Sequence, residues 1–158
     1  MTTRILVFGN AGAGKTTLAR QLASEHHAER LDLDTIAWKP VGSTNRRPLD
    51  EVRTHLAHFM AQHANWVIEG CYGDIIELVM SHATAVYFLD IDPESCIERN
   101  REREWEPHKF RSPEDQTQAQ TFLESWIREY HDRTDEFGHA WHRRLFETFT
   151  REKHLITE

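Results

Sequence analysis

Residues 4–9, RILVFG, are apolar without a break from Ile5 to Phe8 and end on glycine. That is the pattern of a short strand buried on both faces, as in a parallel sheet. Leu18, Ala19, Leu22 and Ala23 then recur at helical spacing and predict a helix over 15–27. RLDLD (30–34) reads as a second strand, and TIAWKPVGSTNRRP (35–48), with its Pro, Gly, Ser and Asn, as a loop. Leu49, Val52, Leu56 and Met60 give an amphipathic helix over 49–63. NWVIEG (65–70) is a third strand, and TAVYFLDID (84–92) a fourth that Pro93 stops. Asp92 can cap, and Pro93 can begin, a helix running to about Trp105. EPHKFRSP (106–113) is a break between prolines, followed by a long helical stretch over 114–149 with an interruption near Gly138. In it Phe122, Trp126, Tyr130, Phe137, Trp141, Leu145 and Phe149 recur mostly four apart and read as a face packed on the sheet. HLITE (154–158) is a last strand. Strands alternating with helices imply an α/β fold, a parallel sheet with helices on both faces. Residues 1–158 show no repeat or linker and read as one domain.

Composition narrows the function classes. The chain is 39% apolar and 28% charged with a formal net charge of −7, the profile of a soluble globular domain. Acidity argues against direct nucleic-acid binding, which depends on phosphate neutralisation. Cys71 and Cys96 form no C-x-x-C pair and read as core thiols. MTTRILVFGN is interrupted too soon for a signal peptide, and no stretch is long enough to span a membrane, so the cytoplasm is the expected location.

The strongest chemical signal is Gly9-Asn10-Ala11-Gly12-Ala13-Gly14-Lys15-Thr16, which satisfies G-x-x-x-x-G-K-[ST] in full between a strand and a helix. Backbone N–H groups of such a loop, with Thr17 in the first helical turn, cradle the phosphates of ATP at a helix N-terminus. Lys15 should reach the β- and γ-phosphates, and the Thr16 hydroxyl should ligate Mg²⁺.

Acids at strand ends supply the remaining candidates. Asp32 and Asp34 alternate along one strand, hence share a side. One would serve Mg²⁺ and the other an acceptor hydroxyl, unless one only caps the next segment. Glu69 ends WVIEG and Asp90 ends VYFLD; both are candidates for the metal carboxylate. Glu69 is preferred because EGCYG is glycine-flanked, whereas LDIDP leads into a capped helix. Arg46 and Arg47 precede the second helix. Arg99 and Arg103, four apart, share a helix face with Arg101, Lys109 and Arg111 nearby. The interleaved glutamates equally allow a salt-bridged, solvated helix. The histidines, including His55, His58, His63, His139 and His142, lack an H-E-x-x-H or Cys/His set and read as surface residues.

The order of these motifs resembles the adenylate kinase and shikimate kinase group. Closer still, LDLDTIAWKP, NWVIEGCYG and AVYFLDIDP resemble the small P-loop kinases often labelled DNA topology modulation proteins, over most of residues 3–113. The resemblance implies a P-loop NTPase with a five-stranded parallel sheet of order 2-3-1-4-5, an acceptor-binding flap over about 35–64 that includes Arg53, and a short lid over about 104–113. It implies phosphate contacts for Arg99 and Arg103, and a shared Mg²⁺ and substrate role for Asp32 and Asp34. Glu69 stands where adenylate kinases carry Asp. The departures are specific. EGCYG is neither the DGFPR of adenylate kinases nor the triple glycine of shikimate kinases, and the sequence given ends at the fifth strand.

The expected activity is therefore ATP- and Mg²⁺-dependent transfer of the γ-phosphate to a small acceptor, by a monomer or homodimer. Lys15, Asp34, Arg99 and Arg103 are the catalytic candidates. Residues 9–17 would hold nucleotide, and Thr16, Asp32 and Glu69 the metal. The alternatives are a regulatory nucleotide-binding ATPase without a small acceptor, or a shikimate kinase.

Overall fold

The architecture was analysed in a computed structural model, which describes residues 1–39, 45–108 and 110–158. Five strands, β1 (Arg4–Gly9), β2 (Glu29–Asp32), β3 (Trp66–Gly70), β4 (Ala85–Leu89) and β5 (Glu152–Ile156), form one sheet. Its order is β2-β3-β1-β4-β5, every neighbouring pair parallel. The helices are α1 (Lys15–Glu25), α2 (Leu49–Gln62), α3 (Gly73–Val79), α4 (Pro93–Arg101), α5 (Pro113–Arg128) and α6 (His139–Thr148).

The alternation of β1 side chains builds two cores. Leu6 and Phe8 face a cluster with Ile68, Phe88, Val52 and Leu56 of α2, Ile75 and Ile76 of α3, and Leu145 of α6. Ile5 and Val7 face the other side, with Ala19 and Leu22 of α1, Ile97 of α4 and Ile127 of α5. The continuous apolar run in β1 is thus explained: both faces are dry. The fold matches the expected α/β class and strand order, and the predicted helix over 15–27 and strand over 65–70 agree with α1 and β3 to within two residues.

Several boundaries differ from the sequence expectations for identifiable reasons. β2 ends at Asp32, and residues 33–35 form a 3₁₀ turn, because the Asp32 side chain accepts the Asp34 N–H at 2.9 Å and its carbonyl accepts the Thr35 hydroxyl. Asp32 and Asp34 therefore do not share one side of a strand. α3 had no counterpart in the sequence reading; Ile75, Ile76 and Val79 make its buried face. α4 stops at Arg101 rather than Trp105, since Gln116 captures the chain beyond it. The Gln116 side chain accepts the Glu106 N–H at 2.8 Å and donates to the Glu104 carbonyl at 3.0 Å. Arg103 thus lies beyond the helix that carries Arg99. The long helix predicted over 114–149 is two helices with a turn at 129–138. Phe122, expected in the packed aromatic face, is 80% exposed. Of the loop at 35–48, residues 40–44 lie outside the described residues, as does Lys109 of the lid segment. Among the described residues no helix is long and apolar enough to cross a membrane.

Candidate active site

The loop between β1 and α1 is glycine-dependent at two positions. Gly12 has φ +78°, and a Cβ there would collide with the Cys96 carbonyl. Gly14 has φ +94°, and a Cβ would come within 3.0 Å of the Arg99 guanidinium. Both conformations are left-handed, and both spaces are taken by α4. The loop is shaped against α4 as well as by its own sequence.

Within this loop two cations rest on backbone carbonyls. Lys15 Nζ donates to the Asn10 carbonyl at 2.6 Å. Arg99 Nη1 donates to the Ala13 carbonyl, also at 2.6 Å. Asn10 is buried; its amide donates to the Ile127 carbonyl and its carbonyl oxygen accepts the Ala11 N–H, which fixes the start of the loop. Beside Ala13, Gly14, Thr17 and Arg99 lies a cavity of about 460 Å³, bounded further by Leu89 and Ile156 at the ends of β4 and β5. Arg103 is exposed, and its backbone N–H bonds the Asn100 carbonyl.

Opposite the loop, Glu69 ends β3 and is 1% exposed. Its Oε1 accepts the Thr16 hydroxyl at 2.8 Å and Arg30 Nη1 at 3.0 Å. Its Oε2 is buried with no hydrogen-bond partner among the described residues. Desolvation pushes the Glu69 carboxyl above its ordinary range and the nearby Asp32 charge adds to this, against the lowering effects of Thr16, Lys15 and Arg30. Asp32 is the register partner of Glu69 on β2. A buried orphan carboxylate oxygen beside the loop threonine, next to a second carboxylate, is a donor set that suits a hard divalent cation. Arg30 was missed in the sequence. Strand alternation was the available signal, because Arg30 stands two positions before Asp32 on β2.

A third group is built from the segment after β2 and the segment after β3. Tyr72 donates its hydroxyl to Asp34 Oδ1 at 2.5 Å and accepts Trp38 Nε1–H at 2.8 Å. Burial first, then the Cys71 and Asp34 charges, hold the Tyr72 phenol far above its ordinary range, so it is a donor at neutral pH. Arg46 lies over the Tyr72 ring at 4.9 Å and bonds Asp74 at 3.1 Å and Glu136 at 3.2 Å. Cys71 lies among these groups. Burial pushes its thiol up to about 12, and the charges of Lys15, Asp34 and Arg46 all act on it. Trp38 and Tyr72 were not singled out in the sequence, although both lie in the two blocks that carried the family resemblance.

Asp90, the competing metal candidate, points elsewhere. It lies 3.0 Å from His139 Nε2 of α6 and 3.9 Å from Arg143. Asp92 caps α4 as expected, accepting the Ser95 N–H. Arg101 pairs with Glu124 of α5 at 2.6 Å, so this part of the basic cluster is a surface ion pair. His142 is a correction to the surface-histidine reading, being wholly buried. Its Nε2 lies 2.9 Å from the Cys71 carbonyl, which only accepts, so Nε2 carries the proton and Nδ1 accepts the Tyr130 hydroxyl at 2.7 Å. Desolvation lowers its pKa to about 4, so it is neutral.

A parallel sheet of this order with a glycine-rich loop leading into α1 defines a P-loop protein of the small-kinase architecture. Residues 5–123 match the AAA domain family AAA_18, and the chain belongs to that family. It is similar to a shikimate kinase of Bacteroides fragilis, 32% identical over a 114-residue alignment that covers 62% of this chain and 62% of the relative. The match thus spans under two thirds of that relative's length. Among solved structures, the shikimate kinase of Bacteroides thetaiotaomicron is 23% identical, with a TM-score of 0.53 over 92% of this chain and 97% of its own. The Acinetobacter baumannii shikimate kinase in complex with shikimate is 19% identical, with a TM-score of 0.53 over 99% of this chain and 84% of its own. At these identities the structures show a shared fold.

Proposed function

We propose that this protein is an ATP- and Mg²⁺-dependent phosphotransferase that moves the γ-phosphoryl group to a hydroxyl of a small acceptor. The observation that carries the reading is the Trp38–Tyr72–Asp34 hydrogen-bond chain. Nucleotide hydrolysis alone requires no such organised carboxylate at the sheet edge that carries the phosphate loop. A kinase requires one, to orient the acceptor hydroxyl and take its proton as the phosphoryl group arrives.

The remaining residues take roles that follow from their positions. Backbone N–H groups of residues 9–17 receive the phosphates. Lys15 and Arg99, now on the Asn10 and Ala13 carbonyls, exchange those partners for phosphate oxygens. Arg103, exposed at the start of the lid, closes on the same charge. Thr16 and Glu69 would hold Mg²⁺, with Asp32 beside them, and the ion would supply neutralisation of phosphate charge. The cavity beside Thr17 and Arg99 receives the base and sugar of the nucleotide. The segments at 35–64 and 104–113 serve as flap and lid within the single domain, excluding water so that transfer outruns hydrolysis. The protein works in the cytoplasm as a monomer or homodimer. The DNA topology label of the proteins it resembles then describes no direct contact with nucleic acid.

The Bacteroides fragilis relative favours a second reading, in which the acceptor is shikimate. Against it, the Arg46 guanidinium is already shared between Asp74 and Glu136, and Arg30 is committed to Glu69. An anionic acceptor drawing on Arg46 or Arg30 would have to displace one of these pairs.

The test is ATP turnover measured with no acceptor and with a panel of shikimate, nucleosides, nucleoside monophosphates and small polyols. One panel member should raise turnover, and Asp34→Asn should remove that increment while leaving acceptor-free hydrolysis unchanged. Steady hydrolysis that no acceptor raises would sink the kinase reading in favour of a regulatory ATPase.

A further inference from the structure

Outside the phosphate crevice, three metal-ligating side chains from three chain segments converge. Asp90 follows β4, His131 lies in the turn after α5, and His139 opens α6. One donor atom from each lies within 4.8 Å of the other two. His139 Nε2 is 3.0 Å from Asp90 Oδ1. The His131 and His139 rings stack with centroids 4.3 Å apart and planes 30° from parallel.

We propose that Asp90, His131 and His139 bind a divalent transition metal of the Zn²⁺ class, with water completing the coordination. Two imidazoles and one carboxylate form a borderline donor set, which suits Zn²⁺, Co²⁺ or Ni²⁺ and disfavours Mg²⁺. Bond lengths of roughly 2.0–2.2 Å draw the three donors together. His131 is exposed and free of the core, so rotation of its side chain closes the set. The surroundings hold the other two in place. Arg143 Nη1 lies 3.9 Å from Asp90 Oδ2. The His139 N–H donates to the Tyr130 carbonyl at 3.0 Å, which closes the turn on itself. Such partners outside the ligand set fix ligand orientation.

The position gives the metal a structural task. The turn it clamps carries Glu136, whose carbonyl accepts the Gly73 N–H at 2.8 Å and whose carboxylate holds Arg46. Pinning 131 and 139 to the end of β4 thus fixes the wall on which Arg46 and Tyr72 lie. The proposal does not depend on which reaction the phosphate site performs.

The experiment is a Co²⁺ titration of the full chain in excess Mg²⁺, read by visible d–d absorption, followed by displacement with Zn²⁺. One equivalent of Co²⁺ with a low-symmetry, intense spectrum is expected, and Zn²⁺ should abolish it and raise the melting temperature. His131→Ala and Asp90→Asn should each weaken binding by more than about tenfold. His58→Ala, at an exposed position of α2, should bind as wild type. Glu69→Gln should also keep the Co²⁺ spectrum, separating this site from the phosphate loop. Since His131 is exposed, its variant should fold, with circular dichroism as the check. Absence of saturable binding, or His131→Ala binding as tightly as wild type, overturns the proposal. So does loss of the spectrum in Glu69→Gln.

Discussion

Glu69→Gln separates a metal-holding carboxylate from a merely structural ion pair. The side chain is buried, its Oε1 accepts Thr16 and Arg30, and its Oε2 has no hydrogen-bond partner among the described residues. If the Arg30–Glu69 pair existed for stability, breaking it should cost about 3–5 kcal/mol, the usual cost of orphaning a buried charge. For a protein of this size that is roughly a 10 °C fall in melting temperature. The structure argues otherwise. The environment of Glu69 raises its pKa above the ordinary 4.5, desolvation outweighing Thr16, Lys15 and Arg30. Relative to the unfolded chain, folding therefore penalises the charged form. A neutral isostere whose oxygen still accepts from Thr16 and Arg30 should melt within a few degrees of wild type, or higher. The sign of the pH dependence agrees. With a folded pKa above the unfolded one, the native state binds more protons between the two, so stability falls as pH rises through that window. The wild-type melting temperature should thus gain on that of Glu69→Gln as pH is lowered toward 4.5. Turnover should fall about 10²–10³-fold, as for loss of one preorganised electrostatic contact at a transferring group. Melting scans across pH, beside ATP turnover at saturating Mg²⁺, measure both effects. A large fall in melting temperature with wild-type turnover would refute the reasoning, leaving Glu69 a structural residue.

Lys15→Ala should reduce ATP turnover by about 10²–10³-fold while leaving the melting temperature within a few degrees, because among the described residues its ammonium bonds only the Asn10 carbonyl; normal turnover would remove the loop from the active site. Arg99→Ala should cost both rate and about 1–2 kcal/mol of stability, since the guanidinium supports the Ala13 carbonyl, whereas Arg103→Ala should lower rate alone. A thermal shift in Arg103→Ala without a rate change would make Arg103 a surface residue of no catalytic use. His142, held neutral with a pKa of about 4 against an ordinary 6.5, should charge only on unfolding in that interval. A depressed histidine pKa means the unfolded state binds the extra proton, so stability should fall by up to about 3 kcal/mol as pH drops from 6.5 to 4. His142→Gln should flatten that part of the profile, and an unchanged slope would assign the acid sensitivity to other groups.

The fold and the strand–loop–helix geometry of residues 9–17 were legible because their signals are local. β1 is a continuous apolar run, and the phosphate loop is eight contiguous residues between a strand and a helix. What escaped the sequence depends on pairs far apart in it. α3 was hidden because Gly73 and Asp74 begin it, and its seven residues offer less than two turns of periodicity. Arg30 was invisible as a site residue because its partner Glu69 lies on the neighbouring strand. The end of α4 at Arg101 depends on Gln116, fifteen residues further on. His142 looked like a surface histidine because neither Tyr130 nor the Cys71 carbonyl that solvates it can be read from spacing.

The two sequence blocks that most resembled a family, LDLDTIAWKP and WVIEGCYG, prove to be one structural unit. Trp38 of the first donates to Tyr72 of the second, which donates back to Asp34 of the first. Two side chains from two connections at the same sheet edge thus fix one carboxylate. The cost of that arrangement is a constraint on the loop between them: Arg47 donates from Nε to the Ile36 carbonyl and from Nη2 to the Trp38 carbonyl, tying the start of α2 back onto the Asp34 turn. Any movement of α2 as a flap would therefore pull on Trp38, and through Tyr72 on Asp34. In the proposed reaction this makes acceptor binding and the placement of the proton-taking carboxylate one event. Carboxylate placement then needs no residue of the phosphate loop, so loss of Asp34 function should spare nucleotide binding.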